Sequence, residues 1–223
     1  MSGLQQIEQK DREPLLNPVD RVSELLFGLF MALTFVGVVS MATAGREEIK
    51  TMLAAALGCN LAWGIVDAVM YLVRTITERG RSLTLVRSVQ AARDAEAGRK
   101  LVEAALSPGM AKLVSTTEVE AIRGRVVALT GLPARPRLQR DDFLAAFGVF
   151  LIVVASTFPV ALPFVFFEDT GFALFVSRAI ALTMLFLGGL ALGRYAGYGS
   201  WKTGMMMAGL GVVVVASVIA LGG

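Results

Sequence analysis

Histidine is absent from the 223 residues, and cysteine occurs once, at Cys59. The commonest metal ligand, which is also the proton carrier of neutral pH, is therefore missing. Metal or proton chemistry here must use carboxylates, amides, thioethers or backbone carbonyls. One cysteine excludes a disulfide framework within the chain. Without histidine or paired cysteines no nucleophile–base constellation is visible, so an enzyme is not expected. Charge is also scarce, at 17% of residues, and it is gathered rather than spread.

Apolar sequence fills the gaps. Hydrophobic residues make up 55% of the chain, well above a soluble domain. Five stretches come close to or exceed the ~20 residues that cross a bilayer: 22–43, 51–73, 143–167, 171–193 and the Gly-rich 204–221. The expected fold is an all-α integral membrane protein with five transmembrane helices and a cytosolic helical insert between the second and third. Residues 1–20 read as a disordered cytosolic tail with no apolar signal-peptide region. Residues 21–73 hold spans one and two, 74–140 the basic insert, and 141–223 spans three to five. The insert carries thirteen of the twenty-one Lys and Arg residues, whereas the loop 166–170 carries none. The positive-inside rule then puts the N-terminus and insert in the cytosol, with a bacterial cytoplasmic membrane as the expected setting.

The insert reads as short helices. Leu83, Val86 and Val89, then Leu101, Val102 and Ala105, recur near helical spacing, and Ile76, Leu83 and Val86 are placed to prolong the second span. Ser107-Pro108-Gly109 interrupts the pattern, and Ser115 with Glu118 has the spacing of a capping box. Three roles stay open for this segment: metal binding through Asp94, Glu96, Glu103, Glu118 and Glu120; contact with anionic lipid through its arginines; or a solvated helical bundle. Thirteen basic against six acidic residues weigh against concentrating cations.

Charges inside the apolar stretches are costly, so they are the first candidates for function. On a ruler of ~1.5 Å per residue, Glu24 lies just inside the cytosolic end of span one and Asp67 about 9 Å into span two. Helical spacing groups Asn60, Trp63, Gly64, Asp67, Met70 and Tyr71 on one face, and Glu24, Gly28, Met31 and Phe35 on another. Glu24, Asp67, Met70, Met31 and Asn60, with Tyr71 beside them, form a ladder of oxygen and thioether groups from the cytosolic mouth. Glu24, Asp67 and Met70 are the proposed metal ligands, and thioether tilts the preference toward softer divalent ions. Structural alternatives stand beside each: Glu24 as a solvated helix-start residue, Asp67 as a buried hydrogen-bond partner, the methionines as packing. Arg178, in span four, is a buried charge of unassigned role. Gly189, Gly193 and Gly197, with Gly204, have the spacing of helix-packing faces, and Pro159 and Pro163 should kink or end span three.

Several motifs have a familiar look. Gly58-Cys59-Asn60-Leu61-Ala62-Trp63-Gly64 resembles the second span of the vacuolar iron transporter family. Phe158-Pro159-Val160-Ala161-Leu162-Pro163 resembles its proline-bearing third span. Leu187-Gly188-Gly189-Leu190-Ala191-Leu192-Gly193-Arg194 and Gly199-Ser200-Trp201-Lys202-Thr203-Gly204 resemble its join between spans four and five. The resemblance implies a homodimeric exporter of cytosolic Fe²⁺ or Mn²⁺ driven by proton exchange, with the path between subunits. The chain departs from the family pattern in three ways. Phe27 precedes Gly28 where the family has aspartate, Asp67 stands where it usually has a small polar residue, and the insert is rich in arginine instead of glutamate.

The expected function is export of a divalent transition metal by a homodimer, with no tightly bound cofactor and no nucleic-acid partner. The alternative is a non-transporting membrane scaffold or regulator whose basic module binds lipid or a partner.

Overall fold

A computed structural model describes residues 18–41, 46–197 and 199–221. The tail read at residues 1–20 lies outside these except for its last three residues, and so do the link 42–45 and the final two residues. The described chain is all-helical: α1 (Pro18–Met41), α2 (Arg46–Gln90), α3 (Ala95–Ala105), α4 (Pro108–Ala111), α5 (Thr116–Val127), α6 (Arg140–Ala161), α7 (Pro163–Phe166), α8 (Thr170–Ala196) and α9 (Ser200–Ala220). Among the described residues, four stretches are long and apolar enough to cross a membrane: Leu53–Gln90, Arg140–Phe166, Thr170–Tyr195 and Ser200–Ala220. The chain divides into two compact units, Leu72–Asp142 and Pro14–Tyr71 with Phe143–Gly223.

The larger unit is built around α1, which packs on α8 and α9. Leu29, Leu33 and Leu185 are fully buried, and Leu26, Val36, Val160 and Ala181 complete the cluster. Its exterior is as apolar as its core: Phe166, Phe175 and Trp201 are each about 70% exposed. A surface like this suits a bilayer and not water. Span three breaks where two prolines predict it. Pro159 sits inside α6, the helix ends at Ala161, and Pro163 opens the single turn of α7.

Glycines set the closest helix approaches. A Cβ on Gly189 would lie 2.8 Å from the Gly204 Cα, and one on Gly193 would lie 2.7 Å from the Ser200 Cα. These two glycines and Gly204 therefore let α8 and α9 touch backbone to backbone within one chain. Gly197 does not belong with them. It has φ +72°, lies just past α8, and a Cβ there would meet nothing within 4 Å. Its spacing matches the packing run, but it is a left-handed helix cap, where glycine avoids the Cβ penalty. Gly189→Val is expected to cost about 1–3 kcal/mol by overpacking, read as a lower unfolding temperature of the purified protein. Gly197→Ala is expected to cost only the ~1 kcal/mol of left-handed backbone strain.

The unit Leu72–Asp142 has its own small core of Val89, Val102 and Val119. Asp94 caps α3 by accepting from the Ala97 N–H at 2.7 Å. At α5 both halves of the capping box form: the Ser115 N–H and hydroxyl donate to Glu118 Oε2 at 2.8 and 2.7 Å, and the Glu118 N–H donates back to Ser115 Oγ. The bond from the Ser115 hydroxyl, then that from its N–H, holds the Glu118 carboxyl below its ordinary range. A depressed carboxyl stabilises the fold above its unfolded value, ~4.3, and loses that contribution as pH falls through the folded value. Acidification below ~4.3 is therefore expected to shift the Ser115 amide resonance toward its unbonded position. Glu118→Gln should keep the cap and remove the pH dependence.

Arginine side chains tie the return segment to α2. Arg87 donates to the Pro133 and Ala134 carbonyls at 2.8 and 2.9 Å, and Gln90 donates to the Val126 and Leu129 carbonyls. Arg79 donates to the Arg137 carbonyl and, with both terminal nitrogens, to the Asp142 carboxylate. Asp142 also accepts from the Gln139 N–H. Part of the arginine content that reads from sequence as a lipid-facing charge thus serves the proline-rich chain 130–139, whose carbonyls lack helical donors.

Candidate functional site: polar groups among the apolar helices

Asn60 is the most deeply buried polar side chain of α2, with 2% exposed. Its amide donates to the Val153 carbonyl at 3.0 Å and to Thr157 Oγ1 at 2.8 Å, both on α6. Ser156 Oγ donates to the same Val153 carbonyl at 2.7 Å. A Cβ on Gly28 would fall 2.1 Å from Ser156 Oγ, so α1 passes against this cluster. Three helices meet at one polar node. The space beside Gly28 is filled by Ser156. The Asn60 amide nitrogen holds α6. Ser156 and Thr157 were the missed partners; the signal for them was two adjacent hydroxyls in an otherwise apolar run just before Pro159.

The face assigned to α2 divides in two. Asn60, Gly64 and Tyr71 turn into the seam with α6, where Gly64 abuts Phe150 and Val154 and Tyr71 packs on Ala145 and Val149. Trp63 and Met70 lie on the outer flank, 42% and 52% exposed. A twelve-residue stripe has room for both because residues one apart differ by ~100° around the axis. Asp67 falls between the two groups and is half-buried.

Asp67 is the unusual member. Its Oδ2 is buried and has no hydrogen-bond partner among the described residues. Arg178 does not supply one: its Nε and Nη2 are likewise buried and unpartnered. Each charge thus stands in apolar surroundings without the described partner that normally offsets the cost of burial. Asn60 Oδ1 is in the same condition.

Register places Glu24 at the depth of Asp67. Phe27 meets Trp63 edge to face with centroids 6.0 Å apart, and one turn or two farther along, Phe35 and Val36 share a cleft with Leu53, Ala56 and Leu57. The two helices are therefore antiparallel, with Glu24 at the level of Val66 and Asp67, and Met31 at the level of Cys59 and Asn60. Glu24 and Met31 are half-buried. Two carboxylates on neighbouring helices at one depth can share a proton or a cation.

No family model matches the chain, and no curated protein matches it. Function therefore has to be read from the chemistry of these groups. In the insert several acids have local partners: Asp94 and Glu118 cap helices, Glu96 pairs with Lys100 at 2.8 Å, and Glu120 pairs with Arg123 and Arg99. Among the described residues no group of three acidic or cysteine side chains is gathered as a metal cluster would be.

Proposed function

We propose that the protein is a secondary transporter that moves a divalent transition metal, Fe²⁺ or Mn²⁺, out of the cytosol in exchange for protons. The observation that supports this best is Asp67: a carboxylate oxygen buried at the level of Glu24, with no described partner and no arginine clamping it. A carboxylate in that state gains most from a cation or a proton, and the two compete for the same oxygens. Met70, one turn away and half-exposed, adds a thioether that favours transition metals over Mg²⁺. α1 is the fifth span in this reading, with the insert and N-terminus cytosolic.

One chain offers few ligands at this level. A homodimer bringing two copies of Asp67, Glu24 and Met70 together would supply a divalent ion with a full set. The ion is cargo, and Glu24 and Asp67 alternate between binding it and carrying protons. The test is uptake of Fe²⁺ or Mn²⁺ by proteoliposomes with an imposed pH gradient. Uptake that follows the gradient is expected. Its absence for both ions, in protein that stays folded, would leave the scaffold reading, for which the exposed Arg81, Arg93, Arg135 and Arg137 speak.

A further inference from the structure

A second feature of the larger unit lies apart from the polar node. A groove of about 380 Å³ opens between α1, α6 and α8, lined by Val22 and Leu25, Ile152, and Met184, Gly188 and Ala191. It falls in the size range of small-molecule sites. Leu187, which also borders it, is 55% exposed, so the groove opens sideways to whatever surrounds the helices. In a bilayer that is the acyl-chain region.

The groove is apolar along its length and polar at one end. Arg21 closes that end from the first turn of α1. α1 and α8 run antiparallel: Leu26 meets Gly188, while Leu33 and Leu185 both meet Gly211. Continuing that register puts Arg21 at the level of Gly193 and Arg194. On α8 the lining stripe Met184, Gly188, Ala191 continues at helical spacing to Tyr195, with Arg194 at its edge. Both are exposed. From Ala191 to Met184 the groove extends ~10 Å along the helix, and the guanidinium and phenol groups stand where headgroups lie. Asp20 projects ~100° around α1 from Arg21, and Glu24, one turn on, lies ~60° from it. Arg21 and Arg194 together outnumber that one acid at the groove mouth.

We propose that this groove binds an anionic phospholipid, with one acyl chain between α1, α6 and α8 and the headgroup phosphate on Arg21, Arg194 and the Tyr195 hydroxyl. Arginine is suited to this through charge-assisted, bidentate bonds to phosphate oxygens. Tyrosine, apolar in body and polar at its tip, is at home at that depth. The lipid would seal the lateral opening and brace α1 beside Glu24.

The test is native mass spectrometry of the full-length protein in detergent with added phosphatidylglycerol or phosphatidylcholine. One phosphatidylglycerol per protomer is expected, favoured over phosphatidylcholine by roughly tenfold or more, since each arginine at an anionic headgroup contributes about fivefold. Arg21→Gln with Arg194→Gln should bring the two lipids to near parity. Ala191→Phe, which fills the groove, should remove both. If Ala191→Phe fails to fold, the arginine pair alone still decides. Equal binding of the two lipids by the unaltered protein would overturn the proposal, as would a preference that survives loss of both arginines. Inorganic phosphate at millimolar concentration should not displace the lipid; displacement would make this a simple anion site and refute the lipid assignment.

Discussion

Asp67→Asn is expected to make the protein more stable and to abolish the metal transport proposed for it. A charged aspartate inside an apolar span costs ~2.5–3.5 kcal/mol on insertion scales, and Asp67 has no described partner to offset it. Asparagine keeps the shape and loses the charge. A gain of about 1–2 kcal/mol is expected, seen as a rise of a few degrees in the unfolding temperature in detergent. In the proposed mechanism the same change removes the group on which cation and proton compete. Metal flux in proteoliposomes should fall at least ~10–100-fold, the loss typical when even a supporting contact of a metal site is removed. A purely structural aspartate would behave in the opposite way, with stability falling and flux holding. Opposite signs in two measurements make the result hard to mistake for general damage.

Arg79→Leu should be among the most destabilising single changes outside the apolar helices. The Asp142 side chain is 9% exposed, and Arg79 is its ionic partner. Removing the guanidinium leaves a buried carboxylate held by the Gln139 N–H alone and deprives the Arg137 carbonyl of its donor. Breaking a buried pair from one side costs about 3 kcal/mol. Asp142→Asn should be milder, about 1–2 kcal/mol, because Arg79 is 25% exposed and keeps access to water. Thermal unfolding by circular dichroism measures both. Trypsin supplies a second readout: once the clasp is lost, cleavage after Arg137 should accelerate. If the two variants proved equal, the carboxylate would not be the buried partner.

The physical meaning of Arg79 and Asp142 depends on distance along the chain. They stand 63 residues apart, and nothing in either neighbourhood announces the other. The same holds for Asn60 and its partners Val153 and Thr157, and for Gly28 with Ser156. Sequence presents each as a polar or small residue in a helix; only folding shows which bond it completes. Gly197 shows the limit from the other side. Its spacing copies that of Gly189 and Gly193, but residue spacing does not encode φ.

Much was settled before folding enters. The length and apolarity of the runs dictate membrane-scale helices, because only a helix satisfies its backbone bonds within a single segment without water. Pro159 and Pro163 fix the break in span three, and the Ser115–Glu118 pair starts α5. These are local rules in which cause and effect lie within a few residues. Tertiary structure decided the rest: that Asn60 is bound to α6 while Asp67 is not, that the apolar groove ends at Arg21, and that part of the arginine content holds chain and not lipid. Each depends on which helices become neighbours, and that is fixed by packing across the whole unit and not by any one segment.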